Sequence, residues 1–257
     1  MAASKKYGPG EFCWTDLGTT DVAGAKKFYR AIFGWKAKDI PMGVGDAKYS
    51  ILQLNGKDSC AIYPMPEEQK KMKAPPFWLG YISVANIDQT LKKAKSAGGK
   101  ICAGPADVMD RGVWALVQDP TGAAFALWQP GKRRGADLVG KPGGVCWHDL
   151  STPKTGPAGK FYAKVFGWKV KEEDIGGGSY HLFQLNGKEA CGMWPEPMKG
   201  LPPMWITYWT VPDCGKAVAK TGKLGGKVLM GATPIPNMGR FAVLTDPQGA
   251  AFGIFGK

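Results

Sequence analysis

The apolar and polar positions of the first half lay out a short series of elements. Residues 10–18 read as a strand. Ala25, Phe28, Tyr29 and Ile32 then recur at i, i+3, i+4 and i+7, so a helix is predicted over 21–33, with Asp21 as its N-cap and Gly34 as its stop. Strands are predicted near 35–38, 48–54 and 59–64, with Asn55-Gly56 as a hairpin turn. A lysine- and proline-rich stretch, 65–76, reads as a loop. Beyond it come a strand at 77–84, a helix at 87–97, the turn Gly98-Gly99, and strands near 100–103, 113–118 and 123–129. The order β-α-β-β-β is thus met twice before residue 130.

The chain then repeats itself. FYRAIFGWK (28–36) returns as FYAKVFGWK (161–169), QLNGK (53–57) as QLNGK (184–188), PPFW (75–78) as PPMW (202–205), and DPTGAAF (119–125) as DPQGAAF (246–252). The offset is 133 residues for the first block, 131 for the second and 127 for the last two. The changes fall in loop-like sequence, where length is cheaply altered. Two domains are expected, 8–130 and 144–257. Between them 131–143 reads as a linker, rich in Gly, Pro and charge and without periodicity.

Composition narrows the classes. A chain of 257 residues suits two domains with cores of their own, and 44% hydrophobic with 21% charged residues is ordinary for a globular protein. No apolar run reaches the roughly 20 residues that span a bilayer. The start, MAASKKYGPGEF, has lysines but no apolar stretch of the kind a secretory signal carries. Six cysteines show no CxxC spacing; Cys13 matches Cys146 and Cys60 matches Cys191, while Cys102 and Cys214 have no equivalents. They read as buried thiols of a reducing compartment, and the expected location is cytoplasmic. The net charge of +13 comes mostly from scattered lysines, with clusters at Lys70, Lys71, Lys73, at Lys92, Lys93, Lys95 and at Lys132, Arg133, Arg134. These read as solvated surface with a general preference for anionic small molecules. A nucleic-acid site would need a basic stripe interleaved with stacking aromatics.

The β-α-β-β-β unit, the FY…FGW helix end, the AGGK turn (97–100) and the DPxGA strand entry resemble the vicinal oxygen chelate superfamily. That group includes glyoxalase I, extradiol dioxygenases, fosfomycin-resistance enzymes and bleomycin-resistance proteins. The resemblance is greatest to its two-domain glyoxalase-like members and covers nearly the whole chain. It implies an α+β fold in which four βαβββ modules pair into two half-open eight-stranded barrels, each around a cavity.

The resemblance also implies where a metal would be held, by His, Gln or Glu on the first, fourth, fifth and last strands. Those positions fall on Trp14, a residue near Ala61, Leu79 and Ala126, and in the second half on Trp147, a residue near Gly192, Ile206 and Gly253. None is a ligand for a divalent metal, so no metal and no other cofactor is expected. The two histidines do not restore a site. His148 shares a strand face with Cys146 and Leu150, His181 with Phe183 and Leu185, and both faces should meet helices. Their equivalents are Thr15 and Ser50. Cys146 with His148 is the nearest approach to a nucleophile and base, but on that helix-facing side.

Alternation assigns a duplicated set to the cavities: Trp14 and Asp16 with Trp147 and Asp149; Tyr49 and Gln53 with Tyr180 and Gln184; Tyr81 with Tyr208; Trp128 with Phe255. Aromatic walls with a few polar groups suit a planar or amphipathic ligand; the same rings could instead fill the barrels. Asp16 and Asp149 are candidate acids or bases, or carboxylates satisfied by neighbours. GVGD (43–46) and GGGS (176–179) read as hairpin loops, and Arg111 and Arg240 as surface residues able to meet an anion. The expectation is a metal-free protein, monomer or homodimer, that binds or sequesters an aromatic or anionic small molecule, with no nucleic acid or membrane partner. A lyase, isomerase or dioxygenase-like enzyme with unfamiliar residues, and an interaction scaffold with a lost site, stand as alternatives.

Overall fold

A computed structural model of the chain describes residues 7–43, 45–174, 179–195 and 201–257. GGGS and GVGD each include residues outside these ranges. The first half is built from β1 (Phe12–Thr19), α1 (Val22–Phe33), β2 (Lys36–Pro41), β3 (Lys48–Leu54), β4 (Lys57–Pro64), α2 (Glu67–Lys71), β5 (Phe77–Ser83), α3 (Ile87–Ser96), β6 (Lys100–Val108), β7 (Gly112–Gln118) and β8 (Ala124–Pro130). The second repeats the plan as β9 (Val145–Ser151), α4 (Thr155–Phe166), β10 (Lys169–Asp174), β11 (Ser179–Leu185), β12 (Lys188–Trp194), β13 (Met204–Thr210), α5 (Cys214–Lys223), β14 (Lys227–Ile235), β15 (Gly239–Thr245) and β16 (Ala251–Gly256).

Local chemistry sets the ends of these elements. The Asp21 carboxylate accepts from the Gly24 amide, and Gly34 at φ 76° ends α1 with its own amide on the Arg30 carbonyl. Asn55 and Gly56, at φ 51° and 73°, turn β3 into β4, and Asn186 and Gly187 do the same between β11 and β12. Two expectations need correction. The segment 65–76 holds the short helix α2, whose first turn carries Glu67 and Glu68 and whose last carries Lys70 and Lys71. The strand foreseen near 100–103 runs on to Val108, because β7 continues to pair with it as far as Gly112.

Each half forms one eight-stranded mixed sheet, ordered β2-β3-β4-β1-β5-β8-β7-β6 and β10-β11-β12-β9-β13-β16-β15-β14. β1 runs parallel to β4 and β5 parallel to β8, with the same pattern in the second sheet. The fold is α+β.

The compact units cut across these halves. One comprises the residues up to Trp14, Gly80–Gly135 and Trp147–Trp205; the other comprises Thr15–Leu79, Ala136–Cys146 and Ile206–Lys257. The core of the first joins Leu91 of α3 and Phe125 of β8 to Phe161, Tyr162, Trp168, Phe183 and Trp205. The core of the second joins Phe28, Tyr29, Trp35 and Trp78 to Trp209, Cys214 and Phe252.

The repeated sequence blocks meet inside these cores. In the first unit Trp205 Nε1 donates to Tyr162 Oη at 2.8 Å, and Tyr162 Oη donates to Asp119 Oδ2 at 2.8 Å. In the second, Trp78 Nε1 donates to Tyr29 Oη at 2.9 Å, and Tyr29 Oη donates to Asp246 Oδ2 at 3.1 Å. The other oxygen of Asp119 accepts from the amides of Thr121, Gly122 and Ala123, and that of Asp246 from the amides of Gln248 and Ala250. PPxW, FY and DPxG are therefore three links of one buried chain, and each such chain draws on both halves. Every polar end has a partner, which buried groups require.

The segment foreseen as a linker is anchored. The Gly143 carbonyl accepts from Trp35 Nε1 at 2.8 Å and from Ser59 Oγ at 2.7 Å, and Ala136 and Leu138 are buried.

Candidate functional site

The most complete polar cluster lies in the first unit, on β9, β11 and β12. Asp149 is buried, 4% exposed, and register pairs it with Gly192. Three ring donors converge on its carboxylate. Tyr180 Oη donates to Oδ1 at 2.6 Å, Trp147 Nε1 reaches Oδ1 at 2.9 Å, and Trp194 Nε1 donates to Oδ2 at 3.0 Å. Trp147 Nε1 also lies 2.9 Å from Tyr180 Oη. The rings of Tyr180 and Trp194 are 4.9 Å apart. A side chain at position 192 has no room. A Cβ there would fall on the Tyr180 hydroxyl and the Asp149 carboxylate, well inside van der Waals contact.

Every donor in this cluster is neutral and attached to a ring, an arrangement that suits an anionic carboxylate, which only accepts. With its oxygens engaged by three donors, Asp149 is poorly placed to take a proton from a substrate. The rings are better placed to act, because Trp147 and Trp194 are half-buried rather than sealed.

The first-half counterpart lies in the second unit. Tyr49 Oη donates to Asp16 Oδ2 at 2.9 Å, and the rings of Tyr49 and Tyr63 stack at 6.2 Å. Asp16 is 2% exposed, and Ala61 stands opposite it in register. Burial, helped by the Asp16 charge, pushes the Tyr63 phenol well above its usual range.

Two further clusters complete the set. In the first unit the Arg133 guanidinium lies 4.4 Å from the Trp14 ring centre, Trp128 Nε1 donates to the Arg133 carbonyl at 3.0 Å, and Tyr81 meets Trp128 edge-on at 6.5 Å. In the second unit Tyr208, 2% exposed, lies against Gly253, its partner in register.

The sequence-derived residues therefore group as follows. Trp147, Asp149 and Tyr180 come together, as do Asp16 and Tyr49, and as do Tyr81 and Trp128. Gln53 is turned to the hairpin end, where its Nε2 donates to Asp58, and Gln184 sits at the equivalent end opposite Glu189. Three participants were missed: Trp194, Tyr63 and Arg133. Trp194 and Tyr63 could have been found from register, since each lies two residues beyond the position that faces the aspartate on a parallel neighbour. Arg133 carried no signal apart from its charge.

His148 occupies the helix-facing side of β9, with Leu150 in the core on the same face. Its ring stacks on Phe12 at 3.9 Å, and its Nε2 is buried without a partner among the described residues. Burial pushes its pKa from 6.5 down to about 3. Cys146 donates its thiol to the Tyr208 carbonyl at 3.5 Å. Cys13, Cys60, Cys191 and Cys214 are buried as expected, whereas Cys146 is half-buried and Cys102, on the edge strand β6, is exposed.

A sequence profile of the Glyoxalase/Bleomycin resistance protein/Dioxygenase superfamily matches residues 12–127 and again 147–254. The chain belongs to this superfamily. Similar proteins extend along nearly all of it. "Putative glyoxylase CFP32" of Mycobacterium tuberculosis is 38% identical over 255 residues, 99% of this chain and 97% of the relative. "Anthracycline biosynthesis protein DnrV" of Streptomyces peucetius is 31% identical over 262 residues, 97% of this chain and 94% of the relative. Among solved structures, the Mn(II)-bound glyoxalase from Novosphingobium aromaticivorans aligns with a TM-score of 0.66 at 17% identity, covering 96% of this chain and 82% of that one. The 2,3-dioxygenase LapB from Pseudomonas sp. KL28 aligns at 0.64 and 14%, covering 98% and 94%. At these identities the two structures speak to the fold.

A manganese-bound glyoxalase of similar fold raises the question of a metal here. The side chains at the expected positions do not fit one. Leu79 and Ile206 are buried aliphatic groups, and Ala61, Ala126, Gly192 and Gly253 offer no donor atom. The carboxylate opposite Gly192 is engaged by ring donors. Among the described residues no three of His, Cys, Asp and Glu come together. No helix among them is long and apolar enough to cross a membrane.

Proposed function

We propose that this chain is a metal-independent binding protein of the superfamily, which holds a planar aromatic molecule against the rings of its two halves. The observation that carries this reading is the Asp149 cluster. Its carboxylate is used to orient rings, two of them half-buried indoles. Indoles fixed by their N–H edges are pre-organised surfaces for stacking, and a ligand that meets them loses little entropy to side-chain ordering. The name of the Streptomyces relative agrees with this chemistry, since anthracyclines are built on fused planar rings. The name of the mycobacterial relative favours a second reading, an enzyme of glyoxalase type that would use Asp16 or Asp149 as acid or base.

Untagged protein titrated with anthraquinone-2-carboxamide, with tryptophan fluorescence as the signal, tests the proposal. Saturable quenching that persists after exhaustive dialysis against EDTA supports it. Weakened quenching in Trp14→Ala or Trp147→Ala supports it further. Hemithioacetal isomerisation that is lost in Asp16→Asn or Asp149→Asn would establish the enzyme instead, and stoichiometric zinc, nickel or iron after dialysis would overturn the metal-independent reading. No fluorescence response, together with a heavy loss of stability in both variants, would leave the rings as core filling.

A further inference from the structure

We infer that Asn186 is a site of spontaneous covalent modification, deamidation to aspartate and isoaspartate through a cyclic imide, and that its twin Asn55 is protected by the way its hairpin is anchored.

The two sites are matched in everything local. Both lie in the string QLNGK, at 53–57 and at 184–188. Each asparagine is exposed, as is the glycine after it. The registers close the same two-residue turn, with Leu54 opposite Lys57 and Leu185 opposite Lys188. The φ angles are 51° and 73° at Asn55 and Gly56, and 52° and 76° at Asn186 and Gly187. Sequence and turn geometry therefore cancel. What remains is how readily each turn opens.

The chemistry needs only water. The Gly187 nitrogen gives up its proton to solvent base and bonds to Asn186 Cγ. The bond from Cγ to the side-chain nitrogen breaks, and ammonia leaves with a proton from water. Water then opens the five-membered imide. Attack at Cγ restores the main chain and leaves aspartate; attack at the main-chain carbonyl leaves isoaspartate, with an extra methylene in the backbone. Either product puts a carboxylate where a neutral amide stood. In the native turn both central residues are left-handed, the type I′ form. That conformation sets the asparagine Cβ and the next nitrogen nearly opposite each other across the Cα–C bond, so the ring closes after the turn has rotated open. The rate then follows the population of the opened turn.

The anchoring differs between the copies. Behind the first turn Ser59 is buried, and its Oγ donates to the Gly143 carbonyl at 2.7 Å. The Asp58 carbonyl accepts from the amides of Asp137 at 2.8 Å and Leu138 at 3.0 Å, and Gln53 Nε2 donates to the Asp58 carboxylate. Opening this turn pulls on bonds that tie the hairpin to the chain beyond it. Behind the second turn the same positions hold Glu189, which is exposed where Asp58 is half-buried, and Ala190, which has no hydroxyl to donate. This hairpin joins β11, which carries Tyr180, to β12, which carries Trp194. An extra methylene at its turn disturbs the pairing of the two strands from which rings reach Asp149.

The test incubates the full chain in mildly alkaline, heavy-oxygen water and follows both hairpins by peptide mass mapping, which reads loss of the amide and uptake of the label at each asparagine. Asn186 should convert about tenfold faster than Asn55, the scale of the hydrogen bonds that opening the first turn gives up. In urea, where the identical strings alone set the rate, the two should agree within about twofold. Ser59→Ala should raise the Asn55 rate by about threefold or more and leave Asn186 unchanged. Should that variant fail to fold, Ala190→Ser carries the test from the other side. The Gly10 carbonyl accepts from Trp168 Nε1 at 3.0 Å as the Gly143 carbonyl accepts from Trp35 Nε1 at 2.8 Å, and a carbonyl oxygen can accept twice. A serine at 190 should use it and slow Asn186 by about threefold. Equal rates in the folded chain, a faster Asn55, or conversion at neither site while the unfolded chain converts overturns the inference. A rate ratio untouched by both substitutions overturns the anchoring as its cause.

Discussion

The two copies of the duplicated set use the same ring positions in opposite ways. In the first copy the tryptophans are deep, Trp14 at 9% and Trp128 at 8% exposed, while Tyr49 and Tyr81 are only half-buried. In the second the tyrosines are deep, Tyr180 at 9% and Tyr208 at 2%, while Trp147 and Phe255 are half-buried. Two small residues account for the inversion. Ala61 and Ala126 of the first copy are Gly192 and Gly253 in the second, each in register with the aspartate or tyrosine concerned. Without a Cβ beneath it, Tyr180 reaches the Asp149 carboxylate at 2.6 Å, where Tyr49 stands 2.9 Å from Asp16. One methyl group thus decides whether a tyrosine or an indole presents itself. Duplication supplied two identical frames, and small-residue changes gave them different surfaces.

The strongest way to break this comparison is to put the methyl group back. In Gly253→Ala the new Cβ meets the Tyr208 ring in its middle, not at a movable tip. Overpacking of a rigid buried ring should cost about 3 kcal/mol, read as a shift in the urea midpoint with an unchanged slope. A loss below about 0.5 kcal/mol would show that the glycine does not set the depth of Tyr208.

A second difference between the copies concerns pH. Where one unit has Thr15 within 3.5 Å of Thr207, the other has His148 and Gly80 at the equivalent positions. A Cβ at position 80 would run into the Phe12 ring, which stacks on the imidazole. Its pKa falls from 6.5 to about 3 on burial, so below pH 6.5 the unfolded chain binds a proton that the folded chain refuses. The stability is complete above 6.5 and lost as pH falls, by about 1.4 kcal/mol per unit. Between pH 6.5 and 4.5 wild type should lose roughly 2–3 kcal/mol that His148→Leu does not, since the carboxylates that titrate toward the lower end are common to both proteins. Parallel pH dependence in the two proteins would falsify the assignment.

Gly192→Ala should have a somewhat smaller effect, about 2 kcal/mol, because the atoms in its way are the far ends of two side chains. Its signature is optical. With Tyr180 displaced, Trp147 and Trp194 lose their fixed orientation, and their emission should move toward that of hydrated indole. An unshifted spectrum with unchanged stability would mean that the cluster tolerates Cβ as its first-half counterpart does.

Much of the architecture was legible because it was written twice. The helix with Tyr29, the Asn55-Gly56 turn and the aspartate at 119 could each be checked against a partner copy. The same near-identity hid the pairing. Tyr29 meets Asp246 and Tyr162 meets Asp119, yet FY and DPxG read alike in both halves, so no local signal says which tyrosine goes with which aspartate. Alternation along β1 and β9 placed the aromatic and acidic residues on one face. It could not show that ring N–H groups would engage Asp149, because that depends on side-chain length and on Gly192. Arg133 was hidden by composition: a Gly- and Lys-rich stretch reads as solvated linker, and its anchoring by Trp128 is a tertiary fact.

Those matched locks give the finest test of the comparison, since they are where the two units should not differ. Tyr29→Phe and Tyr162→Phe each remove one hydroxyl that both accepts from an indole and donates to a carboxylate. The ring stays, so packing is kept and only the polar chain is cut. Each aspartate retains its turn amides, which limits the cost to about 1–2 kcal/mol. The donor distances, 2.8 Å in one unit and 3.1 Å in the other, leave Tyr162→Phe marginally the costlier of the two. Because the chains share no residue, the double variant should lose the sum of the single losses to within about 0.5 kcal/mol. Unequal single effects by more than about 1 kcal/mol would mean that the units are stabilised differently at their centres. The inversion of rings at the two sites would then reflect a difference in the frames themselves, not only in the glycines that line them.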